Sequence, residues 1–496
     1  MRRISLALAL AVSCLLVLAA CGGNSSKSSS ASAKSGDPSI AGADVTPASA
    51  TVFASVNTDS TGAQWKQAMT LLAGIPSMKT SLDKSLSSSG ITLADVEGAL
   101  GPNTVFVELG TSAKPTDVVL TNPTDSSKLK GILAKDKKEK SVTTEIGSWL
   151  AIAKTQAALD QFKTAAGSGK LSDSSAYKTA TAGVPADALV KAYLKGSAIS
   201  ASTLASLGST STTTTSSSAT KALNSALAKN QLEWGTVTVS AVAKGLSIDC
   251  VFKGKTSVAN ATSTLIDQLP SGTSFAVDLN GATLGLDKAV KNLRNNKKYG
   301  SQIPQMEAAL GIKLDDLAAL AGSEMSIYGT ESGIGLLIKA PDAAKSKTML
   351  DKAVTLLSAQ LNGSSKSVSV GGVQATEVTF GTTKIDLGVK DGNLFVVTDA
   401  AALPGSSKLS SDPTYSAVAT ELPIPASNLG VVYVDFAKLA ALSKSNSSVV
   451  GSLSGSLGNS KSAKANLSQL GGLSSLLGYA TASGDKVEVK AFLSTK

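Results

Sequence analysis

Gly254-Lys255-Thr256 has the ending of a phosphate-binding loop, in which glycine amides cradle a phosphate and the lysine neutralises it. Such a loop needs a further glycine upstream, and Asp249 stands in its place, a negative charge where phosphate would sit. Gly167-Ser168-Gly169-Lys170 runs into Leu171, which lacks the hydroxyl that would hold magnesium. Ser81-Leu82-Asp83-Lys84 has the spacing of a serine activated by lysine. No Lys-Thr-Gly follows it, and a serine-rich chain produces the pattern by chance. Asp315-Asp316 offers two carboxylates to a metal, but the matching earlier segment reads Ala94-Asp95. One carboxylate persists, which favours a helix cap at the positive end of the helix dipole.

Histidine is absent, which removes Ser-His-Asp and Cys-His catalysis and His-containing zinc sites. Carboxylate, lysine or carboxylate-metal chemistry stays open. We expect no enzyme activity, no catalytic residue, no cofactor and no metal.

Cysteine use is more telling. Arg2 and Arg3 precede an apolar run from Ile4 to Val17, too short to span a bilayer comfortably. Leu18-Ala19-Ala20-Cys21 closes it, and small residues before a cysteine resemble the lipobox of a bacterial lipoprotein. Cleavage would leave Cys21 first in the chain, carrying acyl chains. Each buried methylene contributes about 0.8 kcal/mol, so two or more chains anchor stably. Cys14 leaves with the signal, and Cys250 stays alone in the folded part, so no intrachain disulfide is available. Cys250 sits in the alternating run Leu246 to Phe252 and reads as a buried structural thiol.

The net charge is +10, carried by scattered lysines. The densest cluster, Lys135 to Lys140, is mixed in sign. It reads as a solvated helix end or hairpin, with weak attraction to anionic lipid or wall polymer as the sharper alternative. Aromatics are 4%, so stacking platforms are scarce and no nucleic-acid partner is expected.

The elements that position these residues occur twice. Pro47 to Val56 resembles Pro270 to Leu279. Ile91 to Gly101 resembles Ile312 to Gly322, and Val118 to Pro123 matches Leu336 to Pro341. Tyr177 and Tyr193 fall opposite Tyr415 and Tyr433, and Ile248 to Phe252 falls opposite Glu488 to Phe492. The shared order indicates tandem copies of one domain. The expected organisation is a signal peptide over 1–20 and a Ser/Gly-rich flexible tether from Cys21 over 21–46. The first copy covers 47–255, a linker helix 256–269 and the second copy 270–496.

Within a copy the periods change along the chain. Trp65, Met69 and Leu72, then Met78, Leu82 and Leu86, lie at helical spacing and read as core. Hairpins outnumber crossovers, so the fold class is α+β with a mainly antiparallel sheet and helices on one face. Asp95 caps a short helix and Gly101 ends it. Ser-rich insertions at 209–218 and 443–464 read as mobile loops.

The opening prolines Pro47 and Pro270, the Ile-x-Leu-x-Asp motif with its following glycine, and the lipobox together resemble the domain of unknown function 3352 family. That resemblance implies an exported or membrane-anchored protein of bacteria and supplies no functional residue. The leading expectation is a non-enzymatic lipoprotein on the extracytoplasmic face of the cell membrane. It would bind or scaffold an envelope lipid, wall polymer or protein. The alternatives are a carrier or sensor of a lipid or other apolar ligand, and, third, an enzyme without histidine.

Overall fold

The computed structural model describes residues 40–87, 90–111, 114–135, 141–198, 232–255, 259–281, 290, 292–296, 300–360, 363–381, 383–445 and 471–496. The described residues form two compact units. Unit 1 takes those between 40 and 255 with 471–474 and 484–496, and unit 2 those between 259 and 445 with 475–483.

Unit 1 runs β1 (Val52–Asn57), α1 (Ala63–Ala73), α2 (Pro76–Ser87), α3 (Leu93–Glu97), β2 (Asn103–Thr111), β3 (Lys114–Thr121), α4 (Ser126–Lys135), β4 (Val142–Ile146), β5 (Trp149–Ala153), α5 (Gln156–Gly167), α6 (Ser175–Thr181), β6 (Val190–Lys195), β7 (Trp234–Val242) and β8 (Gly245–Lys253). Unit 2 runs β9 (Ala261–Thr262), β10 (Thr273–Asn280), α7 (Ile303–Leu310), α8 (Leu314–Ala321), β11 (Glu324–Thr330), β12 (Ile334–Lys339), α9 (Ala343–Gln360), β13 (Ser364–Val370), β14 (Val373–Phe380), β15 (Thr383–Lys390), β16 (Asn393–Val397), α10 (Pro413–Glu421), β17 (Ser427–Asn428), β18 (Gly430–Asp435), α11 (Phe436–Ser445) and β19 (Leu473–Ser483). The last strand is β20 (Lys486–Thr495).

The fold is α+β, and every described strand pairing is antiparallel. In unit 1 the strand order is β4-β5-β3-β2-β1-β6-β7-β8-β20. In unit 2 it is β13-β14-β15-β16-β12-β11-β10-β18-β19. The sequence puts 484–496 with the second copy. In the structure β20 pairs along its length with β8, from Lys486↔Lys253 to Ser494↔Gly245, and so completes unit 1. Two antiparallel strands pair at any sequence separation, so position in the chain does not fix the neighbour.

Local signals explain the elements. Thr155 begins α5 by accepting from Ala158 N at 3.2 Å, and Leu159 and Phe162, three apart, are both buried. Gly147, at φ +61°, makes the tight turn that sets Ile146 opposite Trp149. Thr92 and Asp95 form a reciprocal capping box at α3. The helix ends sooner than the motif suggests, since Gly98 is its C-cap. Gly101 has a different duty: a Cβ there would lie 1.6 Å from the Asn122 carbonyl oxygen.

The expectation of helices on one face is corrected. All of β5 is buried, and its alternate residues feed two cores. Trp149, Ala151 and Ala153 join Val118, Leu120, Leu159 of α5 and Tyr177 of α6. Leu150 and Ile152 join Leu72 of α1, Leu82 and Leu86 of α2, Val96 of α3 and Leu129 of α4. Unit 1 is therefore three layers, helix on sheet on helix, because its central strands are apolar on both faces.

Two boundaries also shift. Residues 40–46, expected in the unpacked tether, close over the first core: Ile40 and Ala43 are buried, and Ala43 O and Thr46 O accept from Ser172 N and Leu171 N. Residues 259–269 form no linker helix. They hold the two-residue β9 and one 3-10 turn, Ile266–Gln268, because side chains elsewhere take their backbone groups. Thr264 N and Leu265 N donate to the Glu324 carboxylate instead of to helical carbonyls. Signal, lipobox, residues 136–140, the 209–218 insertion and residues 446–464 lie outside the described residues.

Candidate functional site

Unit 2 contains a cleft of about 580 Å³, lined by Ser271, Gly272, Glu331, Ser406, Ser407 and Lys438 among others. Two helix starts build its floor. Asp412 precedes α10 and accepts from Thr414 N at 2.9 Å and Tyr415 N at 3.2 Å. Asp435 ends β18 and accepts from Ala437 N at 2.9 Å and Lys438 N at 3.0 Å. Both carboxylates are buried, and both aim a second oxygen at Lys438. Lys438 Nζ lies 2.5 Å from Asp412 Oδ2, 3.5 Å from Asp435 Oδ2 and 3.0 Å from Ser271 O. Two of these contacts, to Asp412 and Ser271, are hydrogen bonds, and the third is an ion pair. The cation is spent inside the protein and carries no surplus charge toward an incoming anion. What remains facing the cleft is hydroxyl and backbone, the Glu331 carboxylate and the apolar side chains of Pro270, Ala401 and Leu403.

A line of polar groups runs behind this floor on the same sheet face. Tyr415 packs edge-on against Tyr433 at 5.1 Å between centroids. Burial, then the carboxylates Asp435 and Asp412, raise the Tyr433 hydroxyl above its ordinary range. Burial, then Asp267 and Asp278, do the same to Tyr415. Asp278 and Glu324 lie further along, both buried, beneath residues 263–265. The register gives unit 1 Ser55 and Asn103 at these two positions and Ser174 and Lys195 at the two cap positions. The acidic groups belong to unit 2 alone.

The other face of the unit 2 sheet is apolar and open. The large apolar side chains more than a third exposed among the described residues are Leu279, Leu293, Leu317, Ile327 and Val432, all in unit 2. Ile327 and Val432 flank Val277 in register, and Leu279 follows on the same face. In unit 1 Val56 and Ala192, which match Leu279 and Val432, are buried, and Phe106, which matches Ile327, is half-buried.

The motifs singled out in the sequence do not converge on the cleft. Lys255 is exposed just beyond β8. Ser81 and Lys84 sit on the solvated face of α2, where Asp83 pairs with Lys79 at 2.6 Å. Asp315 pairs with Arg294 at 2.9 Å. Among the described residues no group of three His, Cys, Asp or Glu side chains is placed to hold a metal. Cys250, on β8, has its thiol pushed up to about 12 by burial and then by Asp249. Met69, Leu72, Met78 and Leu82 pack in one apolar cluster. Cys21 lies outside the described residues. Lys438, Asp412, Asp435 and Glu324 carried no motif. The one available signal was the change from Ser55 to Asp278 in otherwise matching core strands.

No helix among the described residues is long and apolar enough to cross a membrane. No curated protein and no solved structure matches the chain. The sequence model of one family, described as a protein of unknown function (DUF3352), matches residues 119–475. That span is more than half of the molecule, covers parts of both units and includes the whole cleft, and the chain belongs to the DUF3352 family.

Proposed function

We infer that this protein is a non-enzymatic lipoprotein, tethered through Cys21 to the extracytoplasmic face of the cell membrane, where it binds or scaffolds an envelope component. The observation that carries the non-enzymatic part is Lys438. It donates to Asp412 and Ser271 and pairs with Asp435, so its charge is directed into the protein and away from a reacting group in the cleft. The cleft is therefore a recognition surface of hydroxyls, backbone, the Glu331 carboxylate and a few apolar side chains. The location rests on Arg2, Arg3, the apolar run and Leu18-Ala19-Ala20-Cys21.

The two units descend, on this reading, from one duplicated domain. Pro47 bridges Lys170 as Pro270 bridges Lys408. Leu171 N reaches Thr46 O at 2.7 Å, as Leu409 N reaches Leu269 O at 2.7 Å. Duplication leaves one copy free to change. Unit 2 gained the buried acids and the open apolar face, while unit 1 kept a closed core.

A second reading, a carrier or sensor of a lipid or other apolar ligand, is favoured by Leu279, Ile327 and Val432. Such patches on a single domain commonly mark interaction sites. Native mass spectrometry of protein purified from its own membranes separates the two. A retained lipid lost in Ile327→Asp supports the carrier, and a retained protein or polymer supports the scaffold. For the anchor, Cys21→Ala should release the protein to the medium or leave it unprocessed. A processed variant that stays in the membrane fraction would refute the lipid anchor.

A further inference from the structure

Residues 263–269 form a strap across the acid-bearing face of the unit 2 sheet. Leu265, Ile266 and Leu269 are buried beneath it. Two carboxylates pin its first residues. Glu324 accepts from Thr264 N, from Leu265 N at 2.6 Å and from Thr264 Oγ1 at 2.8 Å. Lys339 Nζ stands 3.9 Å from the same carboxylate and 3.2 Å from Thr264 Oγ1. Three donors and a cation thus surround the Glu324 carboxylate. Asp278 accepts only from Ser263 Oγ, at 3.1 Å, through Oδ1. Its Oδ2 is enclosed without a hydrogen-bond partner, and Ser326 of the facing strand stands opposite Asp278 in register.

We propose that Asp278 is a proton-operated latch on this strap: protonated, it leaves Ser263–Leu269 pinned to the sheet, and ionised beside Glu324 it loosens the pin. The groups facing it are Glu324 from β11, Asp267 from the strap and Tyr415 from α10, with Lys339 of β12 engaged at Glu324. Both charged neighbours, Glu324 and Asp267, are acids, so no cation compensates an Asp278 anion. Burial and then Glu324 push its carboxyl up to about 7, and the serine hydroxyls offset this only in part. The direction follows: the folded carboxyl keeps its proton when the unfolded one, near 3.8, has lost it. Its stabilising share is full below the unfolded value and is lost as pH rises through about 7. Opening the strap admits water to the ionised carboxylate. Unit 1, with Ser55 and Asn103 in register, has no such device.

Amide hydrogen exchange on the full chain tests this, after correction for the intrinsic pH dependence of exchange. Between about pH 5.5 and about pH 8 the strap peptide should lose roughly tenfold in protection, since one unit beyond a pKa is a tenfold population change. Peptides of β4 and β5 in unit 1 should not change. Asp278→Asn keeps an acceptor for Ser263 and no charge, and its strap should stay protected at both pH values. Glu324→Gln removes the acidic neighbour that raises Asp278 and should move the loss to lower pH. Equal strap protection in the wild type at both values, or the same loss in Asp278→Asn, overturns the latch. If Asp278→Asn does not fold, a Glu324→Gln transition at unchanged pH overturns it as well.

Discussion

Tyr433 meets Tyr415 edge to face, with ring planes at 84°, and its hydroxyl ends in a buried place with no hydrogen-bond partner. The rings contribute through the edge-on geometry, about 0.5–1.5 kcal/mol beyond burial. The hydroxyl contributes nothing of that kind and is paid for in lost hydration. Tyr328 on the same face differs, since its hydroxyl donates to Ala402 O at 2.7 Å. Tyr433→Phe should leave stability unchanged or raise it by up to about 1 kcal/mol, and Tyr328→Phe should lower it by about 1 kcal/mol. Urea unfolding of the two variants checks the contrast. Equal losses would mean that the Tyr433 hydroxyl has a partner after all.

Lys438 is shared by two buried aspartates, and removing one member of such a set strands the others. Breaking a buried pair costs about 3–5 kcal/mol. Lys438 is about a quarter exposed, so water can partly replace it and the low end applies. Lys438→Met should destabilise unit 2 by about 3 kcal/mol, while Lys255→Ala, at an exposed position, should shift it by no more than about 0.5 kcal/mol. A thermal or urea titration of both variants reads this directly. A loss below 1 kcal/mol in Lys438→Met, on the order of a surface pair, would remove the ammonium from its place as the keystone of the cleft floor.

Much of the fold was legible. The hairpin at Gly147 and Ser148 and the helix after Thr155 follow from local periodicity and turn chemistry. The second helical layer was not, because a strand such as Trp149-Leu150-Ala151-Ile152-Ala153 is apolar at every position and shows no alternation to read. The partner of β20 was not legible either, since its apolar positions suit any neighbouring strand. The cleft was the least visible. Asp412 and Asp435 are ordinary helix caps by sequence, and only the return of the chain brings both against one lysine. The strap was read as helix because its backbone donors find a carboxylate that lies sixty residues away.

Cys250 tests how closed the β7–β8–β20 part of unit 1 is. Its thiol is pushed up to about 12, so at neutral pH it is a thiol and not the thiolate that reacts. Cys250 is half-buried, so a water-soluble disulfide reagent at about pH 8 should label it in the native protein at least about tenfold more slowly than in denaturant. The same shift carries a sign: the unfolded thiol ionises from about 9 upward, so this share of stability is lost as pH rises toward 12. Rapid labelling of the native protein would show an open edge at β8.

Gly101 gives the most local test of the fold. It follows α3 and lies against the next turn of chain, where Thr58 Oγ1 donates to its carbonyl at 2.6 Å. A Cβ at this position would sit 1.6 Å from Asn122 O and 2.4 Å from Asn122 C, both backbone atoms that no rotamer can move. By contrast, a Cβ at Gly131, on α4, meets nothing within 4 Å. Gly101→Ala must therefore displace the end of β3, and overpacking of this kind costs about 3 kcal/mol at the upper end of its range. Gly131→Ala should instead stabilise by about 0.5–1 kcal/mol, because alanine loses less backbone entropy in a helix. Thermal unfolding of the two variants separates these outcomes. A Gly101→Ala protein as stable as the wild type would show that Asn122 does not lie over Gly101, and with it the junction of α3, β2 and β3 would have to be redrawn.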